Sequence, residues 1–233
     1  MARFPFRVRP TEPYSGPNGG MRRFGSARSK GRLHAGCDLY GPVGTPIVAV
    51  ADGTVILAPY LFYDDTYALE VHHPGFGVVR YGEILPPGHY KSWQKSLAAG
   101  REKAGLAAAS AAIAAPALKA GTKVTEGELI AAVGRLASLK MSMLHFELYD
   151  EAARGQSLSG SGKFKRNKLL VDPTQKLLDL EKKTFDARDC TPAGTRPLAT
   201  SATAAAAGAT LGSAASAGAG AGAGAAVSDL CRW

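Results

Sequence analysis

The clearest periodic stretch of the chain is Met143-Leu144-His145-Phe146-Glu147-Leu148-Tyr149, where apolar and polar positions alternate with period two. Leu144, Phe146 and Leu148 fall on one face of a strand, and Met143, His145 and Glu147 on the other, so one face builds core while the other faces a site. Upstream, Ile47-Val48-Ala49-Val50 runs into the turn dipeptide Asp52-Gly53 and continues as Thr54-Val55-Ile56-Leu57. Residues 67–72 and 76–81 flank a second turn, His73-Pro74-Gly75, and strands resume at 122–124 and 129–133. Short strands separated by glycine turns predict a mainly β fold with an antiparallel sheet or sandwich core.

The pattern breaks at Leu85-Pro86-Pro87-Gly88. Residues 93–115 are rich in Ala, Leu, Lys and Glu, which predicts a helical insertion over about 85–120. After the last strand a Gly/Ser-rich loop, 155–162, leads into the basic cluster Lys163-Phe164-Lys165-Arg166-Asn167-Lys168, read as a solvated loop. Asp172-Pro173 then marks a helix start, continued over 174–184. Residues 1–33 carry eight basic side chains against one acidic and read as a basic extended arm wrapping the domain. Residues 34–184 form the folded domain, and 185–233, largely Ala, Gly, Ser and Thr, read as a flexible tail with too little apolar area to offset the entropy of ordering.

A chain of 233 residues holds one domain of moderate size plus such appendages. The formal charge of +9 favours an anionic partner, such as a wall polymer, nucleic acid or membrane surface. No basic motif interleaved with aromatics singles out nucleic acid, and no stretch qualifies as a transmembrane helix. Of the three cysteines, Cys190 and Cys231 flank the tail and could pair in an oxidising space, and Cys37 reads as a small buried residue.

His34 and Asp38 stand four residues apart with Gly36 between them, and His145 lies within a strand far downstream. Two imidazoles and one carboxylate suit Zn²⁺, and three protein ligands leave a fourth position open for water, the pattern of a catalytic zinc site. At these residues the sequence resembles the lysostaphin-type family of zinc endopeptidases, which cut the peptide cross-links of bacterial cell walls. The resemblance covers roughly 24–133 and the strand ending at Tyr149. It runs through Arg22-Arg23-Phe24-Gly25 and His34-Ala35-Gly36-Cys37-Asp38-Leu39, the family's His-x-x-x-Asp. It continues through Gly44-Thr45-Pro46-Ile47-Val48-Ala49-Val50-Ala51-Asp52-Gly53-Thr54-Val55, Gly121-Thr122-Lys123-Val124, Gly127-Glu128-Leu129-Ile130 and Gly134.

Carried over by position, His34, Asp38 and His145 correspond to the family's three zinc ligands. The chain departs from the family at two catalytic positions. Met143 stands where the family has the first histidine of His-x-His, and Glu83 stands two residues after Tyr81 where the family has another. A thioether neither donates nor titrates, whereas a carboxylate beside zinc-bound water can act as a general base. Glu83 is therefore the candidate base, Tyr81 a candidate for contacting substrate or oxyanion, and His72 or His73 a candidate replacement imidazole. The resemblance implies a zinc-dependent endopeptidase acting on bacterial peptidoglycan, or alternatively a non-catalytic zinc-binding module that binds wall peptide or regulates another wall hydrolase. Met1-Ala2-Arg3-Phe4-Pro5-Phe6-Arg7-Val8-Arg9-Pro10 lacks the apolar run of a secretory signal. The expectation is synthesis in the bacterial cytoplasm and non-classical delivery to the periplasm or cell wall, for example by a phage particle or other delivery machinery.

Overall fold

A computed structural model describes residues 1–86, 118–159 and 167–189. Its strands are β1 (Cys37–Tyr40), β2 (Pro46–Val48), β3 (Gly53–Leu61), β4 (Tyr67–His73), β5 (Gly77–Ile84), β6 (Lys123–Val124), β7 (Leu129–Ala132), β8 (Met143–Tyr149) and β9 (Leu170–Val171). They are followed by the helix α1 (Thr174–Asp189). The main sheet has the order β1-β8-β5-β4-β3-β6, with β9 also paired to β8, while β2 and β7 form a small second sheet. Every pairing is antiparallel, as the alternation predicts. Of the helical insertion expected over about 85–120, residues 87–117 lie outside the described residues, as do the basic residues 163–166, the Cys190/Cys231 pair and the chain from 190 onward. The flexible tail expected from 185 starts too early, because α1 continues to Asp189 and Phe185 is buried in the core.

The helix starts where the sequence places it. The Asp172 carboxylate accepts the backbone N–H of Thr174 at 2.8 Å and so satisfies one of the donors a helix start leaves open. Leu177, Leu180 and Phe185 on α1 are buried in the core formed by Leu39, Leu69, Val79, Tyr81, Leu144, Phe146 and Leu148 from the main sheet. Cys37 is fully buried beside them.

The N-terminal segment expected as a basic arm over 1–33 is anchored in the core by its apolar residues, while most of its other side chains stay exposed or half-buried. Phe4 and Phe6 are completely buried and Tyr14 nearly so, because their apolar rings close the end of the core next to α1. Phe4 packs against Phe185 with ring centroids 5.7 Å apart, and its N–H donates to Thr184 Oγ1 at 2.9 Å. The Arg3 N–H donates to the Val50 carbonyl, the Val48 N–H to the Pro5 carbonyl, and Phe6 bridges Ile47. Arg9 forms ion pairs with Glu181 and Asp186, each at 3.0 Å. The basic residues that suggested an arm alternate with the aromatics that anchor it, and the folded unit extends from residue 1.

All eight residues of β5 and all seven of β8 are buried, so the polar face of these central strands is covered as well as the apolar one. The cover on the polar face includes Phe62, which stacks near His145, and the functional residues collect beneath it. No described helix is long and apolar enough to cross a membrane.

Candidate metal centre

The register of β1 against β8 places Asp38 directly opposite His145, and both side chains lie on the polar face. His34 arrives from a hairpin just before β1. In it Ala27 bridges Leu33, the His34 N–H donates to the Ser26 carbonyl at 2.8 Å, and the Arg28 N–H to the Arg32 carbonyl at 2.8 Å. Gly36 lets this connection cross β8: a Cβ there would stand 2.3 Å from the Phe146 carbonyl oxygen, so only glycine fits. Glycine at 82 likewise admits Phe62, whose ring would meet an added Cβ at 2.9 Å and which lies with its centroid 6.0 Å from that of His145.

His34, Asp38 and His145 therefore converge as the sequence predicts, each contributing a ligand atom within 4.8 Å of the others. His34 Nε2 and His145 Nδ1 stand 2.9 and 2.8 Å from the same Asp38 Oδ1, and 3.1 Å from each other. The opposite ring nitrogens are engaged: His34 Nδ1 with the Arg23 carbonyl at 2.9 Å, and His145 Nε2 with Glu147 Oε1 at 2.9 Å. A carbonyl and a carboxylate can only accept, so each imidazole donates from its outer nitrogen, and a metal that displaced the proton shared with Asp38 would meet the inner nitrogens. This outer arrangement is the one that metal-binding histidines require, and the donor set fits a divalent zinc ion.

The electrostatics agree. Burial opposes ionisation of Asp38, but its hydrogen bonds to His145 and His34 outweigh burial and hold the carboxyl at about 2. Burial also disfavours the charged form of His145, yet the hydrogen bonds to Asp38 and Glu147 raise its pKa well above the usual value. A cluster that attracts a proton this strongly presents concentrated negative potential, which a cation would neutralise.

Beyond His145 the polar face continues as a buried strip that the sequence reading did not assemble. Glu147 Oε2 accepts from Arg80 Nη1 at 2.8 Å and from the Tyr149 hydroxyl. Arg80 also reaches Glu70 Oε1 at 3.1 Å, which in turn accepts from the Tyr60 hydroxyl at 2.7 Å. Burial disfavours the Glu147 carboxylate, but His145 and Arg80 bring its pKa down to about 2. The available signal was the period-two step from His145 to Glu147; its pairing with Arg80 is a matter of register across β5 and β8.

Glu83 lies at the end of β5, just beyond Gly82, which faces His145 in the register. Its φ of 61° is unusual for a residue with a side chain, and Oε2 is buried without a hydrogen-bond partner among the described residues. Burial raises its pKa to about 7, with His145 lowering it and Asp38 raising it. It is thus electrostatically coupled to the cluster. Met143 is buried on the site face of β8, where the resemblance places an imidazole.

Tyr81 does not join the site. Strand alternation turns it to the opposite face from Gly82, and it is fully buried with its ring centroid 5.8 Å from that of Phe146. Its hydroxyl accepts from the Val50 N–H at 3.2 Å and bonds His73 Nε2 at 2.9 Å. His72 is engaged with Glu151 at 3.1 Å, and burial lowers the His73 pKa to about 4. Both histidines sit on the β4 segment opposite Val78 and Gly77, away from Gly82, so neither replaces the missing imidazole.

Fold and site together define the class: a mainly antiparallel β domain with a buried His-Asp-His centre suited to a metal. No family model and no curated protein matches the chain. Among solved structures it is similar to the antimicrobial peptidase lysostaphin from Staphylococcus simulans, at 16% identity over 85% of this chain and 61% of that one, with a TM-score of 0.48. It is also similar to LytU, at 18% identity over 74% of this chain and 96% of that one, with a TM-score of 0.45. A zinc-containing peptidase from Vibrio cholerae is 23% identical over 63% of this chain and 36% of that one, with a TM-score of 0.37. A putative M23 peptidase from Pseudomonas aeruginosa is 21% identical over 64% of this chain and 44% of that one, with a TM-score of 0.35.

Proposed function

We propose that this chain is a zinc-dependent endopeptidase that hydrolyses peptide bonds of bacterial peptidoglycan, acting at the periplasm or cell wall. The observation that carries the reading is the convergence of His34 Nε2, Asp38 Oδ1 and His145 Nδ1, with the outer ring nitrogens held by the Arg23 carbonyl and the Glu147 carboxylate. When bound, zinc supplies a Lewis acid and lowers the pKa of bound water to about 7. His34, Asp38 and His145 would hold it, with Glu147 and the Arg23 carbonyl orienting the rings. Glu83, whose carboxyl burial raises to about 7 in the metal-free protein, is the candidate base: its carboxylate would take a proton from the attacking water and deliver it to the leaving amine.

The rival reading is a zinc-binding module of the same fold that binds wall peptide or regulates another wall hydrolase without cutting. Met143 favours it, because a thioether cannot move protons at the position where the resemblance places an imidazole.

Purified protein, zinc-loaded or chelated, is incubated with sacculi of different cross-link chemistry and the released fragments are identified by mass spectrometry. Chelator-sensitive release of cross-link fragments, lost in Glu83→Gln while zinc content is retained, supports the enzyme. Retention on sacculi with zinc bound and no fragments at any protein concentration overturns it in favour of the binding module.

A further inference from the structure

Resting on the peptidase reading, we propose that Arg28 is a catalytic residue of this site, stabilising the negative charge that develops on the oxygen of the scissile carbonyl. The hairpin that delivers His34 also delivers Arg28: the two residues lie on its paired arms, with Ala27 bridging Leu33. Arg28 Nη2 stands 3.3 Å from Asp38 Oδ2, the oxygen not shared with the two imidazoles, and Nη1 stands 3.1 Å from Ser26 Oγ. The guanidinium is held on the ligand carboxylate from outside the His-Asp-His cluster while its side chain remains 23% exposed. Among the described residues one N–H on each Nη is occupied, which leaves the rest of the five-donor fork for an incoming oxygen.

The need for such a group follows from the residues at the two positions where the resemblance places imidazoles. Met143 offers no donor, and Glu83 as general base carries negative charge or a single proton already committed to transfer. Arg28 is, besides, a cation that acts on the Glu83 carboxyl without being one of the three candidate metal ligands. In the reaction the water oxygen bonds to the carbonyl carbon, its proton passes to Glu83, and the π pair moves onto the carbonyl oxygen, where Arg28 donates. Collapse of that oxyanion breaks the C–N bond as Glu83 returns the proton to the amine. Removing one preorganised donor of this kind costs about 10²–10³ in rate.

The test compares wild type, Arg28→Gln and Arg28→Lys as zinc-loaded full chains. Zinc content, kcat and KM on a wall cross-link peptide are measured, together with binding of a phosphinic peptide that carries a tetrahedral anion and of the matching uncleaved amide. The expected result is unchanged zinc content and KM in Arg28→Gln, kcat lower by about 10²–10³, phosphinic-peptide affinity weaker by a similar factor and amide affinity unchanged. Arg28→Lys, which keeps the charge, should recover part of both losses. A rise in KM with kcat unchanged would make Arg28 an anchor for a substrate carboxylate and overturn the proposal, as would loss of zinc or unchanged phosphinic-peptide binding. Should wild type bind zinc yet cut nothing, the peptidase reading fails on its own, and the selective loss of phosphinic-peptide affinity in Arg28→Gln still decides whether Arg28 stabilises the anion.

Discussion

Glu83→Gln should make stability less dependent on pH, and the size of the effect follows from the burial of one carboxyl. In the folded, metal-free protein the Glu83 pKa is raised from 4.5 to about 7, with burial the leading cause. A carboxyl with a raised folded pKa holds its proton more tightly when folded than when unfolded. Between those two values the unfolded chain releases a proton that the folded chain retains, so wild-type stability falls as pH rises through the window. At about 1.4 kcal/mol per tenfold change in proton affinity, the loss approaches about 3 kcal/mol once the pH is above 7. Glutamine does not titrate and escapes it. Near pH 4.5 and below, both chains carry a neutral group at this position and their stabilities should lie close together. Urea unfolding of the two proteins with chelator present, at about pH 4.5 and about pH 8, measures the difference. Glu83→Gln should gain about 2–3 kcal/mol over wild type on going to the higher pH. A gap that stays constant across the range would show that Glu83 is solvated, and would refute both its burial and its tuning as a base near neutrality.

Glu147→Gln should weaken zinc binding by about 10–100-fold in a competition assay with a chromophoric chelator, because the group that orients His145 loses its charge. Unchanged affinity in the folded variant would remove Glu147 from the metal centre. Tyr81→Phe should cost about 1–3 kcal/mol of stability by leaving the Val50 N–H and His73 Nε2 without their partner. Zinc content and any hydrolysis should survive, and loss of turnover in a fully folded Tyr81→Phe would return that residue to the site. Phe4→Ala should destabilise by about 3–5 kcal/mol in thermal or urea unfolding, as expected for emptying a buried ring position. A cost below about 1 kcal/mol would mean that the N-terminal segment is not part of the core.

Local information in the chain was enough for the parts of this protein that depend on near neighbours. Period-two alternation located β8 and separated the apolar face carrying Leu144, Phe146 and Leu148 from the face carrying His145. The Asp52-Gly53 and His73-Pro74-Gly75 turns marked strand ends, and Asp172-Pro173 marked the start of α1. The ligand types at His34, Asp38 and His145 were legible because side-chain chemistry is written in the residue itself. What surrounds them was not. His34 and His145 are 111 positions apart, and their meeting depends on the antiparallel register of β1, β8 and β5. The same register put Glu147 beside Arg80, turned Tyr81 into the core, and closed a cover over a face that alternation alone would leave open to solvent. Basic charge along the first 33 residues suggested an arm, but charge reports the exposed side chains, whereas the place of the segment was decided by the fit of Phe4, Phe6 and Tyr14 against α1. Sequence by itself determined which groups could bind a metal and which strands could carry them; tertiary structure decided which groups share one buried space, because burial and hydrogen bonding are properties of neighbours brought together from distant parts of the chain.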